Sequence, residues 1–245
     1  MTKEVLQLLK NDTEYYSGVG KNYLSNSDIG TLLTNPRNFG VQREDNKNFA
    51  VGRYFHQLLL EPNKASKVVT VDVASRNTKA YKEALEESRE DVLLLSKEAE
   101  ATRELTDTML GNIHFYDLIR DDENQYEVPA IGEIMGHMWK GKADIVGADV
   151  LIDLKTTSDI DGFRWSAKKY NYDSQCYVYQ ELFGKPLIFL VIDKTTGMLG
   201  EFIPTEEFIK GGGDKVARAI EVYEKFFHEP TKTDDIGSFY ISENL

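Results

Sequence analysis

Hydrophobic and polar positions along the chain follow two periods, one helical and one of strands. Residues 1–10 place Val5, Leu6, Leu8 and Leu9 at helical spacing, and Asn11-Asp12-Thr13 follows as a loop. Ser25 or Ser27 caps a helix that runs through Leu32 and Leu33 and ends at Asn35-Pro36. A second helix covers residues 48–60, with Phe49, Phe55, Leu58 and Leu59 as its apolar positions and Glu61-Pro62 as its stop. Residues 68–71 read as a strand. Residues 77–88 and 96–110 read as helices whose Glu, Lys and Arg make solvated faces. The pattern then turns to strands: a pair over residues 125–138, and two short apolar runs around Gly147-Ala148-Asp149 that predict a hairpin. Thr156-Thr157-Ser158-Asp159 is rich in N-cap residues before a helix over 160–169 that carries Phe163, Arg164, Trp165, Lys168 and Lys169. A helix over 172–183 closes on Gly184, residues 186–192 form a buried strand, and 195–197 turn into a strand at 198–203. A long amphipathic helix covers 208–227, and the tail from Glu229 is weakly specified. The order predicts one α/β domain over 1–245: a helical part (1–66), a core (67–228) and a tail (229–245).

Composition narrows the function classes. Hydrophobic residues at 41% and aromatic residues at 11% support a packed core. The net charge of −12, from 29 Lys+Arg against 41 Asp+Glu, argues against a protein that grips nucleic acid over its whole surface. It leaves room for a local basic channel and for substrate held through metal ions. The single cysteine, Cys176, excludes an intramolecular disulfide and any all-cysteine metal site. No apolar run reaches membrane-spanning length and the first residues are too charged for a signal peptide, so the expected location is the cytoplasm, with no membrane partner.

Candidate chemistry gathers at Gly141 to Thr157, GKADIVGADVLIDLKTT. If the hairpin turns at Ala148 and Asp149, Val146 faces Leu151 and Asp144 faces Asp153. Asp153 and Lys155 then share a face with Asp144, while Ile145, Ile152 and Leu154 occupy the other. Two carboxylates opposed across a strand pair repel by up to about 1 kcal/mol unless a cation lies between them. A divalent ion turns that liability into a site, and a lysine aimed at the same spot suits an attacking water or an oxyanion. On its own the pattern also fits a surface hairpin with ordinary charges. His56 is a lone histidine, Lys140 and Lys142 flank the hairpin entry as solvated or phosphate-binding groups, and Tyr172, Gln175 and Tyr179 lie a turn apart on one helix face.

The D…DxK hairpin resembles the PD-(D/E)xK nuclease superfamily. Its flanks resemble the RecE-type (exonuclease VIII) branch found in phage and prophage recombination modules. The matching segments are Tyr23-Leu24-Ser25-Asn26-Ser27, Gly52 to Pro62 (GRYFHQLLLEP), Lys142 to Thr157, and the QxxxY pair Gln175 and Tyr179. The resemblance implies a restriction-endonuclease-like core, a central mixed sheet flanked by helices, with an N-terminal helical annex. It implies a Mg²⁺-dependent exonuclease (with Mn²⁺ able to substitute) that degrades linear duplex DNA 5′→3′ and leaves 3′ single strands. A RecT-like single-strand annealing partner and a ring-shaped homo-oligomer come with it. Asp144, Asp153, the Leu154 carbonyl and His56 would bind metal, and Lys155 would serve the attacking water. The family's upstream glutamate best matches Glu127, in Tyr126-Glu127-Val128-Pro129, with Glu133 as the competitor. Gln175, Tyr179 and Tyr172 would position DNA, and Ser25, Ser27 and Arg53 would hold a 5′ phosphate. Ala143 stands where the family usually has proline, and Asp153 where it often has Glu. One cysteine excludes the iron–sulfur subtype. Rival expectations are a nuclease of other polarity or substrate, and a catalytically silent DNA-binding module of the same fold.

Overall fold

The helical period of the first half of the chain becomes eight helices in a computed structural model that describes residues 2–41, 45–88 and 90–241. These are α1 (Thr2–Leu8), α2 (Asp12–Tyr16), α3 (Asn26–Thr34), α4 (Lys47–Leu60), α5 (Pro62–Ala65), α6 (Lys79–Ser88), α7 (Ser96–Gly111) and α8 (Ile113–Arg120). Among them a two-residue pair, β1 (Thr70–Val71) and β2 (Leu94–Leu95), runs parallel. The second half supplies β3 (Gln125–Ile134), β4 (His137–Val146), β5 (Leu151–Thr157), α9 (Phe163–Lys169), α10 (Tyr172–Phe183), β6 (Leu187–Asp193), β7 (Leu199–Phe202) and α11 (Glu206–Phe226).

The main sheet has the order β3-β4-β5-β6-β7, antiparallel except for the parallel pair β5–β6. That parallel pair needs a crossover, which α9 and α10 provide. The β3–β4 hairpin turns at Met135 (φ 50°) and Gly136 (φ 80°), both left-handed, which matches the twist of the flanking strands. Helices cover both faces. On one side Phe55, Leu59, Met109, Phe115 and Ile119 pack on Ile145, Ile152, Leu154, Ile188 and Leu190. On the other, Phe163, Ala167 and Cys176 pack on Leu151, Leu187, Phe189 and Val191. A third cluster joins α3, α10 and α11 around the fully buried Trp139. The mixed sheet flanked by helices is the architecture expected from the sequence.

Several local expectations are corrected. Asn11-Asp12-Thr13 is not a loop: the Asn11 side chain accepts from Thr13 N–H (2.9 Å) and Glu14 N–H (3.2 Å) and starts α2. Ser25, not Ser27, caps α3. Phe49 is 51% exposed, and α4 instead buries Ala50, Tyr54, Phe55, Leu59 and Leu60. The expected solvated helix α7 buries Ala99, Thr102, Thr106 and Met109, because it packs against α4 and α8. Only Thr70 and Val71 of the strand expected at 68–71 pair. β5 keeps Thr156 and Thr157, so α9 starts at Phe163. Met1 and the last four residues of the expected tail lie outside the described residues.

Candidate active site

The β4–β5 hairpin forms in the register its pattern predicts. Val146 pairs with Leu151 and Ile145 with Ile152, and Gly147 N–H donates to Val150 O across the turn (2.9 Å). One step on, the ladder opens: Leu154 N–H donates to Asp144 Oδ2 (2.8 Å). On the far side of β4 the register runs Tyr126 with Ile145 and Val128 with Ala143, which sets Glu127 opposite Asp144. Glu127, Asp144 and Asp153 therefore stand on one rung across three strands. Glu127 has a left-handed backbone (φ 51°), an unusual conformation for a strand residue that marks a functional position. Glu133 is exposed and pairs with Met138. Of the two glutamates, Glu127 is the one on this rung.

Helix α4 brings His56 to the same rung, its Nδ1 3.4 Å from Asp144 Oδ2. One ligand atom each from His56, Glu127 and Asp144 all lie within 4.8 Å of one another. These oxygen and imidazole donors fit a divalent cation, and the buried Asp153 carboxylate stands on the same rung, outside that group of three. The Asp153 carboxylate is gripped from two sides: Gln175 Nε2 donates to Oδ1 (2.5 Å), and Lys155 Nζ pairs with Oδ2. Leu154, expected through its carbonyl, joins the site through its N–H on Asp144. Lys155 Nζ also lies over the Tyr172 ring, 4.7 Å from its centroid.

The protonation pattern follows from this crowding. Burial disfavours a charged His56, but the Asp144 carboxylate outweighs it and raises the imidazole to about 9. Burial and the Asp144 charge push Glu127 up to about 7. Asp144 faces the same burial, yet His56, Lys155 and the Leu154 N–H hold it below the usual carboxylate range. Burial raises Asp153 more than Lys155 lowers it. Lys155, buried against Asp153, is raised above an ordinary lysine and stays an ammonium. The rung holds protons that a metal ion would displace.

Other predicted residues take different places. Gln175 is 8% exposed and serves the Asp153 carboxylate. The Tyr179 hydroxyl donates to Lys142 O (2.9 Å) and accepts from Lys142 N–H (3.3 Å), which fastens α10 to β4. Lys140 and Lys142, expected as phosphate contacts, turn inward. Lys140 Nζ donates to Tyr15 O (2.5 Å) and Lys142 Nζ to Asp12 (2.6 Å), because α2 packs over that strand. The Ser25 hydroxyl is held by Asp28 (2.7 Å) and Ser27 (2.9 Å) within the helix cap, and the exposed Arg53 pairs with Asp45. Ser25 and Ser27, expected at a 5′ phosphate, sit in the cap of α3. Asp12 and Tyr15 were missed; the cap signature Asn11 before Thr13-Glu14 was the available signal.

The profile of a family described as a PDDEXK-like domain of unknown function (DUF3799) matches residues 33–236. Among solved structures, a protein of Eubacterium rectale provisionally named an exonuclease is 17% identical. Its TM-score is 0.66, over 96% of this chain and 95% of that one. An alkaline exonuclease from Laribacter hongkongensis is 12% identical over 89% of this chain and 96% of its own, with a TM-score of 0.40. A phage-related exonuclease from Haemophilus somnus 129PT is 16% identical over 67% and 98%, with a TM-score of 0.35. No curated protein matches the sequence.

Proposed function

The chain belongs to the PDDEXK-like family (DUF3799), and from that premise we propose that it is a metal-dependent exodeoxyribonuclease acting on linear duplex DNA. The observation that carries this reading is the rung Glu127–Asp144–Asp153 with Lys155 beside it. A divalent ion, Mg²⁺ in this proposal and Mn²⁺ as substitute, supplies a polarised water and a counter-charge for the scissile phosphate. Asp144, Glu127 and His56 would hold it, with Asp153 beside them on the rung and gripped by Lys155 and Gln175.

The chain's own residues then divide the work. Lys155 is an ammonium, so it orients the water and stabilises charge building on the phosphoryl oxygens rather than taking a proton. Gln175 fixes the orientation of Asp153, and Tyr179 holds the strand that carries Asp144. Glu127, pushed up to about 7 by burial and the Asp144 charge, would give up its proton on binding the ion. Polarity 5′→3′, production of 3′ single strands for recombination, a RecT-like annealing partner and a ring-shaped homo-oligomer belong to the same proposal, supported by the motif resemblance.

The test is digestion of a linear duplex labelled at either end, with a closed circle as control, by wild type and Lys155→Ala in Mg²⁺. Release of nucleotides from the 5′ end of the linear form only, slowed about a hundredfold or more in the variant, is expected. Cutting of the circle would replace the exonuclease reading with an endonuclease, and no cutting in Mg²⁺ or Mn²⁺ would end the nuclease reading.

A further inference from the structure

Helix α9 leaves the β5 end of the active site with an exposed face whose chemistry is unlike the rest of this acidic chain. Phe163 and Ala167 bury its inner face, while Arg164, Trp165, Lys168 and Lys169 occupy the outer one, followed by exposed Tyr170. Trp165 is 68% and Tyr170 58% exposed. Among the described residues no carboxylate pairs with Arg164, Lys168 or Lys169. In a chain with twelve more acids than bases, three uncompensated cations on two turns of helix are a local reversal of charge.

Rings and cations are interleaved on this face. The Arg164 guanidinium lies over Trp165 (4.9 Å) and Lys169 Nζ over Tyr170 (5.8 Å). Tyr170 neighbours Tyr172 (6.1 Å between centroids), and Tyr172 carries Lys155 on its face (4.7 Å). An aromatic path thus runs from the surface to the catalytic lysine. The helix is also fixed in place: Ile160 N–H, in the loop before it, donates to the buried Asp193 carboxylate at the end of β6 (3.0 Å).

We infer that the outer face of α9 with Tyr170 is a stacking platform for single-stranded DNA entering or leaving the site. Bases stack on Trp165 and Tyr170, while Arg164, Lys168 and Lys169 follow the phosphates. Alternating rings and cations suit single strands, whose bases are free to stack; a closed duplex offers only its charge. The inference rests on the nuclease reading only for what the platform feeds, since its binding is measured without cleavage.

The chain has two tryptophans, and Trp139 is fully buried, so Trp165 dominates any solvent-sensitive emission. The experiment titrates the full chain in EDTA with a short oligothymidylate, following tryptophan fluorescence, with inorganic polyphosphate as a control that carries the charge but no bases. Expected in wild type are quenching by the oligonucleotide and little by polyphosphate; anisotropy of a labelled oligothymidylate, which needs no tryptophan, should show about tenfold or greater weakening in Trp165→Leu. Trp165→Phe should bind like wild type while losing the optical signal, and an unchanged Tm shows the variants are folded. Replacing Arg164, Lys168 and Lys169 with Gln should lower the slope of log affinity against log salt by about 2. Equal quenching by polyphosphate, unaltered affinity in Trp165→Leu, or no binding would overturn the platform even if wild type cuts duplex DNA. Quenching without cleavage in Mg²⁺ would leave the platform standing and remove the nuclease reading.

Discussion

At the scale of single residues, the site is a set of charges that do not belong together without a cation. Glu127 is raised from its ordinary 4.5 to about 7, so its contribution to stability is full below 4.5 and gone above 7. His56 is raised from 6.5 to about 9, so its contribution is full below 6.5 and lost as pH rises through 9. Both slopes run the same way. The metal-free protein is therefore expected to melt lower at pH 9 than at pH 5.5, each 1 kcal/mol moving Tm by about 2–4 °C in a chain of this size. Added Mg²⁺ should flatten the profile, and Asp144→Asn should return the His56 imidazole, followed by NMR titration, toward about 6.5. A His56 pKa unmoved by that substitution would contradict the pairing. Gln175→Ala is expected to slow cleavage about 10–100-fold by freeing the Asp153 carboxylate, measured as single-turnover rate.

At the scale of elements, α10 is the part that turns a hairpin motif into a site. It grips β5 through Gln175 and β4 through Tyr179, and it lies against α11 where Gly212 approaches the Asp173 carbonyl. A Cβ on Gly212 would stand 2.0 Å from Asp173 O, whereas one on Gly211 meets nothing within 4 Å. Gly212→Ala is expected to cost at least about 3 kcal/mol, the upper end for overpacking. Gly211→Ala on the same helix should instead stabilise by about 1 kcal/mol through helix propensity. Urea unfolding of the pair checks both signs. The end of α10 was legible because Gly184 takes the left-handed cap (φ 67°) that its sequence position suggests. Gln175 was legible as a site residue, but its partner was not, because a contact between positions 153 and 175 has no local periodicity to betray it.

At the scale of the whole molecule, charge is distributed by function. Acids dominate the composition, yet Lys140 and Lys142 are spent on Tyr15 and Asp12, and the free cations of α9 collect beside the active site. Under the proposed function DNA is attracted locally, so its Michaelis constant is expected to rise steeply with salt while the single-turnover rate on bound DNA changes little. Comparable salt sensitivity of both would place the electrostatics in the chemical step instead. No described helix is long and apolar enough to cross a membrane.

The sequence by itself determined what local pattern can encode: the hairpin register that opposes Asp144 to Asp153, the buried strand β6, a cap at Ser25 or Ser27 and the membership of a mixed α/β class. Each follows from side-chain period, turn chemistry or capping within a few residues. Only the tertiary structure decided between Glu127 and Glu133, delivered His56 to the rung, and buried Lys140 and Lys142 under a helix that begins at Asp12. Those outcomes depend on which strand pairs with which and on what packs over them. The free energy that fixes them is the burial of α4, α7, α8 and α10 against the sheet, and no stretch of sequence near the site records it.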